Sequence, residues 1–381
     1  MLFWEMCGFV HNFVRKRMTS MTMVSHKPHF PATFVLLPQM AERRRAAFYL
    51  AAEEYIAEIF PMGSYFFTWQ VGPTVVMGRN QVAHQEVDID FCRRQGIDVI
   101  RRRSGGGAIF ADEGNIMTSL IADSAPVESL FREYAEAVAN ALRTLGAPAR
   151  VSGRNDIVLD ALGCSGNNPL TLGQEPLDVN DVTSRKVCGN AFYLLRERCI
   201  AHGTMLYDTN PSLMEGALNP DDTKLRQRGI RSVRSRVGLL RDYLPGMTTS
   251  LIQEQLRVLL CDKCVELSES DVIAISQKEQ RYYDPEFLFS SAGRADFIRS
   301  ARFPGCGNVE VRFRLVGSLI REVCVSGDYF SLGDVDEAFR TAFIGCPFSP
   351  DNLRLAVAEH HPERTIRGLE KASLLSILIN S

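Results

Sequence analysis

Between residues 65 and 207 the chain keeps returning to short apolar or β-branched runs, at 65–70, 74–77, 97–101, 116–122, 151–160, 184–193 and 202–207. Runs of that length bounded by turn residues read as strands, which confines the chain to folds with paired strands. Two longer stretches break the series. Over 46–60, Phe48, Ala52, Tyr55, Ile56 and Ile59 recur at helical spacing, and a second helix over 127–145 stops at Gly146 ahead of Pro148. A shorter helix ends over 91–95.

A second unit begins near Gly293. Val309, Val311, Phe313 and Leu315 alternate with Glu310, Arg312 and Arg314, the period of a half-buried strand. Gly317-Ser318 suits a tight turn, and 319–325 supplies the return strand. Asp334 is placed to cap a helix with the apolar face Val335, Ala338, Phe339, Ala342 and Phe343. A chain of 381 residues has room for two domains. The expected division is an extension over 1–30, a main domain over 31–292, and a small α+β domain over 293–381.

Residues 161–183 are rich in Gly, Asn, Pro and Ser, the composition of a long flexible insertion. Residues 1–30 hold one acid, Glu5, against Arg15, Lys16, Arg17 and Lys27. That balance suits a mitochondrial presequence. The cluster Met18, Met21 and Met23 favours instead an over-extended start, making the segment a disordered or non-native extension. The expected location is then the cytoplasm, with the mitochondrion as the alternative.

A net charge of −2 gives no global attraction to nucleic acid or to an anionic membrane, and no apolar run is long enough to span a bilayer. The ten scattered cysteines read as reduced thiols. Cys261 and Cys264 form a CxxC with no second pair, so two thiols on a helix face are expected rather than a metal site.

The residues with most chemistry are Arg101-Arg102-Arg103-Ser104-Gly105-Gly106-Gly107-Ala108-Ile109-Phe110. Glycines let backbone amides approach an anion, and guanidiniums match phosphate oxygens. The run fits neither GxxxxGK[ST] nor GxGxxG, so it reads as an anion loop of another kind.

This loop resembles the adenylate-binding loop of the lipoate–protein ligase family. Gly153-Arg154-Asn155-Asp156, Lys186-Val187-Cys188-Gly189-Asn190-Ala191 and His202-Gly203-Thr204-Met205-Leu206 resemble three further blocks of that family, in its order. Residues 225–237 and Gly327-Asp328-Tyr329-Phe330 are also similar. The resemblance implies an α+β fold: a mixed β-sheet catalytic domain of the biotin/lipoate ligase type, with a small α+β accessory domain. It implies activation of lipoate with ATP to lipoyl-AMP, then transfer to a lysine of lipoyl domains in 2-oxoacid dehydrogenase E2 subunits or of the glycine-cleavage H protein. A monomer is expected.

Carried onto this sequence, Lys186 neutralises charge on the reacting phosphate and carbonyl. Arg102, Gly105, Gly106, Gly107, Ala108, Ile109, Phe110, Asn155, Asp156 and Lys186 would hold ATP or the adenylate. Ser104, Lys186, His202, Gly203 and Thr204 would meet lipoate. Asp156 would serve Mg²⁺. Whether Arg102 or Arg103 lies closest to phosphate stays open, as does whether Asn155 and Asp156 bind ligand or close a turn. Many family members carry two histidines where this chain has Ala201-His202. Phe66, Trp69, Val76, Met77 and Ala191 are candidates for an apolar tail slot, or plain core. The basic stretch from Lys224 to Arg236 is a solvated face or a dock for an acidic lipoyl domain. The rivals are an ATP-independent lipoyl or octanoyl transferase, for which Cys188 is the available nucleophile, and a non-catalytic lipoyl-domain-binding homologue. A biotin ligase lacks support, since its GRGRxGR-type loop is absent.

Overall fold

The computed structural model describes residues 32–38, 44–123, 127–152, 156–160, 184–218, 237–289 and 295–379. The expectations for 1–30, for the 161–183 insertion, for Asn155 and for the basic stretch lie outside these residues.

The first part contributes the strands β1 (Ala32–Leu36), β2 (Tyr65–Trp69), β3 (Thr74–Met77), β4 (Asp98–Arg101), β5 (Ile109–Ala111), β6 (Asn115–Asp123), β7 (Ala149–Ser152), β8 (Asp156–Leu159), β9 (Arg185–Leu195), β10 (Arg198–Leu206) and β11 (Cys261–Glu266). Eight of them form a mixed sheet in the order β11-β1-β2-β6-β10-β9-β8-β7. β1 runs parallel to both its neighbours, and the other pairs are antiparallel. β4, β3 and β5 make a separate small sheet.

Successive strand residues serve opposite faces, so the large sheet separates two cores. Leu120 and Ala201 pack with helices α2 (Val127–Leu145) and α3 (Thr249–Leu260). Ile121 and Ile200 pack with α1 (Ala46–Ile59) and α4 (Glu269–Glu279). α2 ends where the sequence says it should: Gly146 takes φ +105°, and its amide reaches back to Arg143. α1 is buried on nearly all sides from Ala46 to Ala57, and that burial includes Glu53 and Glu54. Two carboxylates inside such a helix must find partners.

The C-terminal part is an antiparallel sheet of β12 (Phe297–Phe303), β13 (Gly307–Val316) and β14 (Leu319–Gly327). Helices α5 (Val335–Phe343), α6 (Pro350–His360) and α7 (Lys371–Ile379) cover it. Val309, Val311 and Phe313 are fully buried against Phe339 and Phe343, as the period of two requires. Asp334 caps α5 through the Glu337 amide at 3.0 Å.

Some expectations change. The run at 151–160 is split between β7 and β8. Cys261 and Cys264 lie on β11, an edge strand paired with β1, and not on a helix face. Pairing with β1 overrides the helical pattern, and positions three apart on a strand face opposite ways. Burial pushes the Cys261 thiol up to about 12. Among the described residues no helix is long and apolar enough to cross a membrane.

Candidate active site

The chain leaves the small sheet at Arg101 and re-enters it at Ile109, leaving 102–108 as a loop. Its three arginines go three ways. Arg101 is buried, with its guanidinium on the carbonyls of Gly78, Arg79, Gln81, Phe287 and Leu288. Arg102 is also buried. Its Nε donates to Ser104 Oγ at 2.8 Å, and its terminal nitrogens to the carbonyls of Val76, Gly105 and Gly107 at 2.7–2.9 Å. Arg103 turns to Glu54 on α1 at 2.7 Å, where Arg281 and Tyr282 also meet the carboxylate. In this arrangement the Arg102 guanidinium shapes the loop and is not presented to a phosphate. Desolvation lowers Arg101 and Arg102 to about 10, which leaves both charged near neutrality.

The glycines admit another segment of the chain. Gly106, at φ +88°, donates its amide to the Tyr329 carbonyl at 3.1 Å. A Cβ on Gly105 would stand 2.2 Å from the same oxygen. The Phe330 ring lies over Gly106 and stacks on Phe192 at 5.5 Å. Gly107 is exposed, and Ala108 and Ile109 are partly so. Phe110 is paired with Val75 and its ring is in the core.

Ser104 Oγ lies 2.7 Å from His202 Nε2, and His202 Nδ1 lies 3.1 Å from both oxygens of Glu53. Ser119 donates to Glu53 at 2.6 Å and accepts from Trp69 Nε1 at 2.9 Å. The whole chain of bonds is buried. Sequence reasoning named Ser104 and His202 but missed Glu53. The signal available was an acid pair, Glu53 and Glu54, in the middle of a helix whose first seven residues, Ala46 to Ala52, carry no charge.

β9 supplies the lysine, and a one-residue irregularity decides where it points. Ile157 pairs with Cys188, but Val158 pairs with Lys186, so Val187 is the extra residue of a bulge. Without it, Lys186 would share the face of Cys188 and Asn190, against α2. With it, Lys186 joins the face of Gly189, which pairs with both Asp156 and Thr204. Ala191 and His202 pair two residues further along the same face. Lys186 Nζ stands 2.7 Å from Asp156 Oδ1, with both side chains about a third exposed.

The same alternation places Gly203. It faces the α2 side, where Asn190 fills the space its Cβ would take, so its side of the strand packs rather than lining the lysine face. Ala201 likewise lies in the α2 core, off the face that carries His202. Thr204 is on that face and buried. Cys188 lies in the α2 core with its thiol pushed up to about 12 by burial, its Sγ 3.4 Å from Asn190 Oδ1. A thiol so held is a poor nucleophile.

The tail-slot candidates do not converge: Phe66 and Ala191 join one core, Trp69 and Val76 another, and Met77 a third. Two cavities, of about 580 and 270 Å³, share Arg79, Asn80, Arg103 and Asp336 and are lined by residues of both the first part and the C-terminal part. Lys186 lines neither.

Residues 45–258 match the family described as the lipoyl protein ligase A/B catalytic domain, and 294–378 match that of the bacterial lipoate protein ligase C-terminus. Lipoate-protein ligase LplJ of Bacillus subtilis is 30% identical over 76% of this chain and 83% of its own length. A probable lipoate-protein ligase A of Mycoplasma pneumoniae is 28% identical over 76% and 81%. Among solved structures, P. falciparum LipL1 in complex with lipoate superposes with a TM-score of 0.67 at 17% identity, over 86% of this chain and 94% of that one. A bipartite ligase system with its E2 lipoyl domain from Thermoplasma acidophilum gives 0.56 at 23% identity, over 71% and 100%. A lipoate-protein ligase A bound with ATP gives 0.52 at 21%, over 68% and 98%. The last three show the fold.

Proposed function

The chain belongs to the lipoyl protein ligase A/B family, and on that premise we propose that it activates lipoate with ATP and transfers the lipoyl group to a lysine of a lipoyl domain. The observation that carries this reading is the bulge-directed Lys186, an ammonium on the same sheet face as Asp156, Thr204 and His202.

In the first step a lipoate carboxylate oxygen attacks the α-phosphorus of ATP. The bond to the bridging oxygen breaks, and pyrophosphate leaves. In the second, the acceptor lysine amine attacks the lipoyl carbonyl, an amide forms, AMP departs, and the amine proton goes to solvent. Both steps gather negative charge at one point. Lys186 would stabilise it there, a compact cation on a stem long enough to follow the group.

The exposed Gly107 and the neighbouring Ala108 and Ile109 would offer backbone to the adenylate. Gly105 and Gly106 would join them once the Tyr329 carbonyl leaves the Gly106 amide. Arg102 would reach phosphate only by releasing the loop carbonyls. Ser104 and His202 would close the acyl end. Mg²⁺ would arrive with the nucleotide, since it takes one or two carboxylates beside phosphate oxygens. Asp156 is the carboxylate at hand, and no protein-only cluster of three His, Cys, Asp or Glu occurs among the described residues.

The acceptors in this reading are E2 lipoyl domains or the glycine-cleavage H protein, which the archaeal ligase described with its E2 lipoyl domain supports by analogy. The division after residue 292 belongs to the same reading, supported by the separate core of the C-terminal part. A thioester route through Cys188 is disfavoured by that thiol's burial. The test is lipoate-dependent exchange of labelled pyrophosphate into ATP. Wild type should exchange, and a folded Lys186→Ala should not. A folded wild type without exchange removes the ligase reading; normal exchange by the alanine variant removes only Lys186.

A further inference from the structure

We propose that Gly189 is a positioning residue for this reaction: the space left by its missing side chain is the seat of the Lys186 amine. The inference rests on Lys186 acting as described above. An ideal Cβ built on Gly189 would stand 2.9 Å from Lys186 Nζ and 3.0 Å from its Cε. Real Cβ atoms essentially never come closer than 3.0 Å, so an alanine and the present lysine rotamer do not coexist.

The reason lies in the strand. The Val187 bulge puts Lys186 on the face of Gly189, and the lysine stem then folds forward along β9 over the next residue on that face. Asp156, directly across from Gly189, takes the ammonium at 2.7 Å and fixes the far end of the stem. Glycine is not required here by backbone conformation. Gly189 is absent from the positive-φ glycines, and only flexible side-chain atoms of Lys186 meet its Cβ. An L residue therefore fits the strand, and what it excludes is the amine. This separates Gly189 from the loop glycines Gly105, whose Cβ would meet the Tyr329 backbone, and Gly106, whose Cβ would meet the packed Phe330 ring.

A displacement of roughly 1 Å at a group that must meet a reacting phosphate costs on the order of 100-fold in rate. Gly189→Ala should therefore lower kcat for lipoate-dependent pyrophosphate exchange by roughly 10- to 100-fold, with the KM for ATP changed less than about threefold. The deciding experiment is a double-mutant cycle with Lys186→Ala, read by affinity for a non-hydrolysable lipoyl-adenylate analogue and by thermal melting. Gly189→Ala should weaken analogue binding by roughly tenfold in the wild-type background and by less than about twofold beside Lys186→Ala. If the single variant melts early, the double variant should melt close to Lys186→Ala, because the atoms that clash have gone. Equal losses in both backgrounds would overturn the assignment of Gly189 and leave Lys186 standing. If Lys186→Ala leaves exchange and binding intact, the reading of Lys186 falls and Gly189's role with it.

Discussion

Ser104 and His202, ninety-eight residues apart in sequence, are joined by a buried 2.7 Å bond between Oγ and Nε2, and Glu53 holds the far side of the ring with both carboxylate oxygens. The bond ties the glycine loop to the centre of the large sheet. Removing the carboxylate leaves His202 Nδ1 and the Ser119 hydroxyl buried without this partner. Glu53→Ala is expected to lose ~3 kcal/mol of unfolding free energy in urea. Glu53→Gln, which keeps one acceptor, should lose less than half as much. Equal losses would show that neither the volume nor a single retained acceptor suffices, and that the negative charge is what His202 and Ser119 require.

Arg102 and Arg103 are neighbours in sequence with different work. Arg102→Lys supplies one ammonium where a guanidinium served four acceptors, and it leaves buried carbonyls unmet, at about 2 kcal/mol. Arg103→Lys keeps a cation beside Glu54, which Arg281 also serves, and should cost about 1 kcal/mol or less. Chemical denaturation of the two variants gives the comparison, and the reverse order would refute this division of labour.

The docking of the C-terminal part on the glycine loop depends on bare backbone. Gly105→Ala puts a methyl where the Tyr329 carbonyl stands, and backbone on backbone has nowhere to yield. The segment 327–332 should lift from the loop while each core stays folded. Faster limited proteolysis near Tyr329, with far-UV circular dichroism unchanged, is the expected result. Unchanged cleavage would mean that the contact is dispensable.

Alkaline pH should destabilise the protein through its buried thiols. Cys188 and Cys199 rise from 9.0 to about 12, both chiefly by desolvation. Between those values the unfolded chain has released protons that the native state still holds. The sign is therefore negative: stability falls with rising pH by about 1.4 kcal/mol per unit for each such thiol. Cys199→Ser should remove about one proton from the slope measured by urea denaturation between pH 9 and 10.5. A slope unchanged by that substitution would count against burial as the cause.

Most elements were legible because their signals are local. α2 was bounded by its own glycine and proline, and β13 by its alternation of apolar and charged residues. The strands not foreseen, β1, β5, β11 and β12, owe their state to partners, and helices α3 and α4 were not read from the sequence either. β11 carries a polar sequence that becomes a strand only beside β1. In the candidate site, Lys186, Ser104, His202 and Asp156 were named from motif resemblance. Glu53 was not, since a glutamate in a helix is ordinarily solvated and only packing shows this one fully buried.

The sequence by itself determined which groups are present: a lysine at the head of a strand, a glycine loop behind arginines, and a histidine on the neighbouring strand. Strict alternation from Lys186 would have sent its amine toward the α2 core with Cys188. Only the tertiary structure decided otherwise. One extra residue at Val187 shifts the register by one, and in a period of two such a shift exchanges the faces. The glycine triplet was equally plain in sequence. That its backbone receives the Tyr329 carbonyl, and that Arg102 braces it from within, depends on segments more than two hundred and about twenty-five residues away, at Tyr329 and Val76.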